Sequence, residues 1–284
     1  MITYQNGNIS VSISPNGTKI REYEGIPTPI SPETIDIKIT DQCDMGCAWC
    51  HERSTTQGKH ANLDMLLHIL SDLPAGIELA IGGGNPLSHP DLVEFLMRVK
   101  KNDWIANLTI NQAHIETKLL SSLIKEELIK GVGISITNAN NIPIGISPHM
   151  VYHIIAGVHN VEIMDKLTAR EGSKILILGY KIFGRGSSYY DKNQSVVIEG
   201  LNQWYQNIPK YFGKSIISFD NLALEQLNIR RFFDDTAWQT FYMGDDGTFS
   251  MYIDAVKQEY AKTSRSTERV SFQNMSLLRY FKAC

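Results

Sequence analysis

The sequence has few cysteines, no long apolar run and no excess of one charge. Four cysteines in 284 residues exclude a disulfide-rich secreted scaffold, which needs a dense set of bridges. The 27 basic and 30 acidic side chains nearly cancel, so the charge gives no strong signal for nucleic-acid binding. No apolar run approaches the roughly 18 residues of a membrane span, and the first residues lack the order of a secretory signal. We therefore expect a cytoplasmic protein that does not contact a membrane.

The order of hydrophobic patterns predicts an α/β fold. From Glu33 onward strand and helix patterns alternate, which indicates parallel strands joined by right-handed crossovers. The predicted strands are residues 35–40, 77–81, 106–111, 132–137, 150–156, 175–182 and 215–219. The predicted helices are residues 63–73, 90–101, 116–129, 161–170 and 196–211, with none between the fourth and fifth strands. The pattern leaves an α/β barrel and an open doubly wound sheet as alternatives, and in both the chemistry lies at the carboxyl ends of the strands.

The two ends of the chain predict smaller elements. Alternating segments on each side of Asn16-Gly17 predict an N-terminal β-hairpin, and three prolines between residues 27 and 32 predict a linker. Near the other end, Asp245-Asp246-Gly247 between residues 241–243 and 248–253 predicts a second hairpin. We expect three parts: a hairpin and linker over 1–32, a core over 33–222, and a C-terminal α+β extension over 223–284.

Three of the four cysteines stand directly after the first predicted core strand. Cys43, Cys47 and Cys50 lie within eight residues, and three thiols this close predict soft ligands for a metal or a cluster. A four-iron cluster normally takes four thiolates, and the only other cysteine is the last residue. Three local ligands would leave one iron free for a non-protein ligand. The alternative is a Cys₃His zinc site completed by His51, His60 or His68.

A glycine segment follows the second core strand. Gly82-Gly83-Gly84-Asn85-Pro86-Leu87 lets the backbone come close to a ligand. It is not a dinucleotide fingerprint, because Pro86-Leu87 stands where a helix with a third glycine should begin. Taken alone, the segment is equally consistent with a tight strand–helix turn.

Together the two motifs resemble the radical S-adenosylmethionine (SAM) superfamily. The cysteines form a Cys-x₃-Cys-x₂-Cys motif with Trp49 before the last one, and Gly83-Gly84-Asn85-Pro86 resembles the family's Gly-Gly-Glu-Pro motif. The resemblance covers residues 35–182. It implies a partial (β/α)6 TIM-like barrel, a 4Fe–4S cluster on Cys43, Cys47 and Cys50, and SAM bound to the fourth iron. It also implies an electron donor such as flavodoxin or ferredoxin, which drives cleavage of SAM to a 5′-deoxyadenosyl radical.

The resemblance also implies further contacts with SAM. The segment Gly83–Pro86 would hold the methionine end, although Asn85 stands where the family usually has Glu and so lacks the charge-assisted part of that bond. The alternative is that Asn85 only caps the following turn. Ser135 and Asn138 end the fourth strand, where the family often contacts ribose or carboxylate. Gly157 ends the fifth, where the family's backbone packs on adenine.

The candidates for catalytic roles are Tyr180, Arg185 and Cys284. Arg185 stands between two glycines after the sixth strand, where it could bind a carboxylate or phosphate or could be a solvated turn residue. Cys284 could fold over the barrel mouth as a hydrogen donor, or it could be an idle end of the chain. His51 and His89 lie beside the two cofactor motifs and are better ligand candidates than His68 or His153.

The absence of further cysteines narrows the reaction. A second iron–sulfur centre has no ligands in the sequence, which disfavours sulfur insertion and multi-cluster peptide maturation. We therefore predict a single-cluster enzyme that acts on a small-molecule or nucleotide-like substrate. The alternatives are a radical SAM maturase of a peptide or protein partner and, without catalysis, a zinc-stabilised binding protein.

Overall fold

The computed structural model describes residues 1–284, which form two β-sheets and eight α-helices. The strands are β1 (Ile2–Asn6), β2 (Ile9–Ile13), β3 (Lys19–Tyr23), β4 (Thr34–Thr40), β5 (Glu78–Gly83), β6 (Ile105–Asn111), β7 (Gly131–Ser135), β8 (Met150–Ile155), β9 (Lys174–Leu178), β10 (Ile216–Phe219), β11 (Ser250–Asp254), β12 (Glu259–Ala261) and β13 (Val270–Ser271). The helices are α1 (Leu63–Leu70), α2 (Leu92–Lys101), α3 (Lys118–Lys125), α4 (Ile163–Thr168), α5 (Arg185–Asn207), α6 (Asn221–Gln226), α7 (Asp235–Phe241) and α8 (Leu277–Ala283). None of the helices combines the length and apolar character needed to cross a bilayer.

The larger sheet is an open parallel barrel. Its strand order is β10-β9-β8-β7-β6-β5-β4-β11-β12-β13, and neighbours from β4 to β10 pair in parallel. A helix follows every one of these seven strands except β7. The sequence predicts the gap after β7 and the helices after the other strands, apart from α6 after β10. The partial TIM-like barrel is therefore confirmed, and all seven predicted core strands are present within two residues at their starts.

The helices and the outer face of the sheet form one apolar core. In α1 the buried residues are Leu63, Leu66, Leu67 and Leu70, the spacing of a single helix face. Along β4, Ile35, Ile37 and Ile39 join this core, so the alternate residues Asp36 and Lys38 face the barrel lumen. The lumen is thus lined by polar side chains of strands whose other face is apolar.

The N-terminal sheet has one strand more than the predicted hairpin. The β2–β3 hairpin is present, and β1 pairs with β2 in antiparallel register, with Tyr4 opposite Val11. The side chain of Asn6 ties this sheet to the linker, since Asn6 Oδ1 accepts from the amides of Ile30 and Ser31. The strand β1 was not part of the prediction, although Asn6-Gly7 between β1 and β2 is a hairpin turn signal and Gly7 has a φ of 66°.

The predicted hairpin around residues 245–247 is wrong. Phe241 ends α7, and β11 instead pairs in parallel with β4 and in antiparallel register with β12. Met251 and Ile253 are buried in the barrel core, and this packing against the rest of the sheet determines the strand's partners. The real hairpin turn lies between Asp254 and Glu259, where Gln258 has a φ of 62°. The part boundaries at residues 33 and 222 stay a prediction.

Candidate functional site

The three-cysteine loop connects β4 to α1 at the carboxyl end of β4. Cys43, Cys47 and Cys50 are all half-buried. The loop is closed by backbone hydrogen bonds, because the Cys43 amide donates to the Thr55 carbonyl at 2.8 Å and the Thr55 amide donates to the Asp41 carbonyl at 3.0 Å. Burial raises the pKa of the Cys43 and Cys47 thiols, and the neighbouring thiolates of the loop add to that rise. The three cysteines therefore share one half-buried loop that backbone hydrogen bonds close.

None of the histidines offered as a fourth zinc ligand faces these thiols as a ligand. The His51 ring lies 3.2 Å from Glu52, and His60 Nδ1 lies 2.9 Å from Thr40 Oγ1. His68 is exposed on α1. No group of three or more His, Cys, Asp or Glu side chains is arranged to hold a single metal ion. His89, the other histidine beside a motif, is buried and bonds the Ala61 carbonyl at 3.0 Å.

The glycine segment packs backbone to backbone against the cysteine loop. The Gly84 amide donates to the Thr40 carbonyl at 2.7 Å, and the Asn85 amide donates to the Gln42 carbonyl at 2.6 Å. A Cβ on Gly84 would lie 2.1 Å from the Gln42 oxygen, which is far inside van der Waals contact. Gly83 has a φ of 113°, and a Cβ there would lie 2.5 Å from the Thr40 oxygen. Glycine is therefore required where the two motifs meet.

Asn85 caps the turn and also faces a second pair of side chains. Its Oδ1 accepts from the Leu87 amide at 3.2 Å, while its Nδ2 lies 3.3 Å from His114 Nε2. The same His114 nitrogen lies 3.0 Å from Asp44 of the cysteine loop. Burial opposes ionisation of Asp44, but its hydrogen bond with His114 lowers the pKa of the carboxyl. His114 and Asp44 were not among the predicted site residues. His114 follows the end of a core strand, and this placement was the signal that could have indicated a role in the site.

A cavity of about 340 Å³ opens beside Trp49. Its wall includes Thr137, Val158 and His159, which follow the ends of β7 and β8. The Trp49 ring meets the His159 ring edge-on with centroids 6.2 Å apart. Gly157 (φ of 82°) lies against α5, where a Cβ would come 3.1 Å from Leu201 Cγ. Of the predicted positions, Trp49 lines the cavity and Gly157 supports its wall.

Ser135 and Asn138 are not among the cavity-lining residues. Ser135 ends β7, and Asn138 is exposed, with its backbone N–H donating to Gln112 Oε1 at 2.7 Å. The cavity instead uses Thr137 and Ala139, because the chain after β7 is held against Gln112 with these two side chains turned to the cavity wall.

The three catalytic candidates lie in different surroundings. Tyr180 is buried, and its hydroxyl donates to the Gly186 carbonyl at 2.6 Å. Arg185 begins α5, eleven residues before the predicted helix start, which matches the part of α5 after its kink at Asn193. Arg185 donates to carbonyls of the cysteine loop. Cys284 is exposed, and its carbonyl accepts from Lys262 Nζ at 2.7 Å. The structure thus brings only Arg185 to the three-cysteine loop.

A buried cluster of charged side chains, which the sequence did not predict, lies where this loop meets the lumen. Lys38 Nζ lies 2.7 Å from Asp41, 3.1 Å from Glu52 and 3.0 Å from Asp254, and the Lys38 side chain is 4% exposed. Burial alone would lower the pKa of Lys38, but the three carboxylates raise it. Burial likewise opposes ionisation of Glu52, yet its contacts with His51 and Lys38 hold the pKa of that carboxyl well below its usual range. In the sequence, Lys38 stands between Ile37 and Ile39, and this alternation could have indicated that one face of β4 is polar.

Two further lumen side chains have no hydrogen-bond partner within the chain. Half-buried His153 occupies the space beside Gly133, where a Cβ would lie 2.4 Å from its Cε1, and burial lowers the pKa of His153 to about 4. Asp36 is exposed to the lumen, but the protein around it removes much of the water that would stabilise its charge, and this raises its pKa. The positive charge of Lys181 opposes part of that rise. A neutral imidazole and an unpaired carboxyl therefore face the lumen.

Comparison with known proteins gives one family. The sequence matches the family model described as the Radical SAM superfamily over residues 37–177. It is 31% identical over 110 residues to GTP 3′,8-cyclase of Alkaliphilus oremlandii (strain OhILAs), an alignment that covers 37% of this chain and 34% of the relative. It is 26% identical over 140 residues to the tungsten-containing aldehyde ferredoxin oxidoreductase cofactor-modifying protein of Pyrococcus furiosus, covering 48% of this chain and 38% of the relative. The chain spans little more than a third of the length of these relatives.

Solved structures with the same fold are more distant in sequence. Streptococcus suis SuiB bound to the precursor peptide SuiA superposes with a TM-score of 0.61 at 11% identity, over 89% of this chain and 65% of that one. SuiB bound to S-adenosylmethionine superposes with a TM-score of 0.55 at 12% identity, over 88% and 65% of the two chains. At this identity the likeness concerns the fold alone.

Proposed function

This chain belongs to the radical SAM superfamily, and we propose that it cleaves SAM reductively at a 4Fe–4S cluster held by Cys43, Cys47 and Cys50. The cluster would supply the electron that splits SAM into methionine and a 5′-deoxyadenosyl radical, which abstracts hydrogen from a substrate in the lumen. The observation that carries this proposal is the direct packing of the three-cysteine loop on the glycine segment, at the carboxyl ends of two neighbouring strands.

The donor set of the loop fits such a cluster. Thiolates are the ligands that iron–sulfur clusters take, and the loop offers three half-buried cysteines within eight residues. None of the three is paired in a disulfide. The histidines nearby have other hydrogen-bond partners, which supports a thiolate-only protein ligand set. An electron donor such as flavodoxin or ferredoxin would serve this cluster.

Two neighbouring features suit the two ends of SAM. The backbone of Gly83–Pro86 would hold the methionine end, and Asp44, joined to Asn85 through His114, would supply the negative charge that an asparagine lacks. The cavity of about 340 Å³ beside Trp49 would take the adenosine end, whose flat ring suits an aromatic wall. Ser135 and Asn138 stay predictions for contacts with the ribose or carboxylate.

The lumen suits a polar substrate of small-molecule or nucleotide-like type. Asp36 and His153 offer it a carboxyl and a neutral imidazole that have no partner within the chain. Lys38 is already surrounded by three carboxylates, so it would orient the cysteine loop and not bind the substrate. Hydrogen-bonding groups held by a rigid sheet are what a site needs to orient a substrate toward a radical.

A peptide substrate is the second candidate. A cavity of about 600 Å³ lies between α6, α7 and the segment near Asp246, and its lining includes Trp238, Tyr242 and Arg265. The Trp238 and Tyr242 rings are stacked with centroids 4.7 Å apart. Asp246 lines this cavity and bonds Arg265, another of its lining residues, at 2.9 Å, so the cavity offers both charged and aromatic groups to a peptide. A rise in SAM cleavage on addition of a partner peptide would favour this candidate.

The test of the proposed function is anaerobic reconstitution with iron and sulfide, followed by SAM and dithionite. We expect the wild type to bind close to four irons and to form 5′-deoxyadenosine, and the Cys43/Cys47/Cys50→Ala variant to do neither. Cys284→Ser is the matched control, because it removes the one cysteine outside the loop and should change neither result. Zinc in place of iron and no 5′-deoxyadenosine from the wild type would contradict the proposal and favour the zinc-stabilised binding protein.

A further inference from the structure

The start of α5, which follows β9, is hydrogen-bonded to the cysteine loop that follows β4. Arg185 Nε donates to the Cys47 carbonyl at 2.9 Å, and its Nη1 donates to the Ser54 carbonyl at 2.7 Å. The Arg185 backbone amide donates to the Cys50 carbonyl at 2.9 Å. One residue therefore joins three points of a loop that lies more than 130 residues earlier in the chain.

The two glycines beside Arg185 make this approach possible. Gly184 has a φ of 57°, and a Cβ there would lie 2.2 Å from the His51 carbonyl oxygen. A Cβ on Gly186 would lie 2.4 Å from the Lys181 carbonyl oxygen and 3.3 Å from that of Trp49. The Gly184-Arg185-Gly186 segment is thus shaped to lie against the loop, which explains a helix start that helix propensity does not favour.

The guanidinium brings a permanent positive charge to the same place. Both of its side-chain hydrogen bonds go to uncharged carbonyl oxygens, so no carboxylate neutralises it through these contacts. The charge lies near the ligating residues, since the guanidinium bonds the backbone carbonyl of Cys47 and the Arg185 amide bonds that of Cys50. Positive charge beside an iron–sulfur cluster favours the reduced form, because reduction adds an electron to the cluster.

We propose that Arg185 is a positioning residue for the cluster, which fixes the three-cysteine loop in its ligating shape and raises the reduction potential of the bound cluster. This inference rests on the proposed function, because it takes Cys43, Cys47 and Cys50 as the cluster ligands. It assigns to Arg185 neither of the roles that the sequence offered, a substrate anion site or a solvated turn.

The test distinguishes the effect of the positive charge of Arg185 from the effect of its hydrogen bonds to two carbonyls. Arg185→Gln removes the charge and the fork of donors, whereas Arg185→Lys keeps the charge but cannot reach two carbonyls at once. Arg53→Gln is the matched control, because Arg53 is exposed on the same loop and its charge is screened by solvent. The three variants and the wild type are compared by hydrogen exchange of residues 43–55 before reconstitution, and by iron content and electron-paramagnetic-resonance redox titration afterwards.

We expect amide exchange in the loop to be at least tenfold faster in both Arg185 variants and unchanged in Arg53→Gln. The reduction potential should become more negative in Arg185→Gln and recover in Arg185→Lys, a rescue that a purely structural role would not give. Loop exchange and potential equal to wild type in Arg185→Gln would overturn the inference. A wild type that binds no iron–sulfur cluster would instead overturn the proposed function, and the exchange rates would still decide whether Arg185 orders the loop.

Discussion

Asp254 Oδ2 lies 3.0 Å from Lys38 Nζ and joins two strands that are 216 residues apart in the chain. Both side chains are almost fully buried, with 2% and 4% of their surface exposed. The pair is part of a cluster with Asp41 and Glu52, so it links the C-terminal strand β11 to the cysteine loop. The last quarter of the chain is therefore connected to the candidate site by charge as well as by strand pairing.

Removal of the lysine should destabilise the protein strongly. In Lys38→Met three carboxylates lose their shared cation, and an uncompensated buried charge costs about 3–5 kcal/mol in the free energy of unfolding. The control is Asp64→Asn, which breaks an exposed pair with Arg98 and should cost less than about 1 kcal/mol. Urea unfolding of the two variants measures both values. Equal, small losses would mean that the cluster does not stabilise the fold.

The contact between the two cofactor motifs can be tested with neighbouring glycines. In Gly84→Ala the new Cβ would lie 2.1 Å from the Gln42 oxygen, so the loop must shift, and we expect a loss of about 3 kcal/mol. In Gly82→Ala the nearest atom is 3.8 Å away, and the change should stay within about 0.5 kcal/mol. Urea unfolding and SAM binding to the reconstituted protein are the measurements. A Gly84→Ala variant with wild-type stability and affinity would show that the segments need not touch.

The lumen histidine predicts a pH dependence of stability. Burial lowers the pKa of His153 to about 4, below the value near 6.5 of the unfolded chain. Between these values the unfolded state binds more protons, so stability is complete above pH 6.5 and falls as the pH drops toward 4, by up to about 3 kcal/mol. Unfolding at pH 7 and pH 5 should show a smaller difference between the two pH values in His153→Gln than in the wild type. The same difference in both proteins would contradict a His153 imidazole that is neutral in the folded state.

Much of the barrel could be predicted because its signals are local. The alternation of apolar residues in β4 and the spacing of Leu63, Leu66 and Leu70 in α1 depend only on which faces are buried. The start of α5 and the pairing of β11 could not be predicted in the same way. Arg185 begins a helix in a glycine-rich segment because it bonds the cysteine loop, and β11 leaves its expected hairpin because it pairs with β4.

The sequence by itself determined the parallel α/β core, the three-cysteine loop and the glycine segment after the next strand. These follow from periodicity and from the spacing of Cys43, Cys47 and Cys50, which are properties of neighbouring residues. Only the tertiary structure decided that Arg185 holds the loop, that Lys38 gathers three carboxylates and that His114 joins Asp44 to Asn85. Each of these contacts joins residues far apart in the chain, and their distance in space depends on how the barrel curves and closes around the lumen.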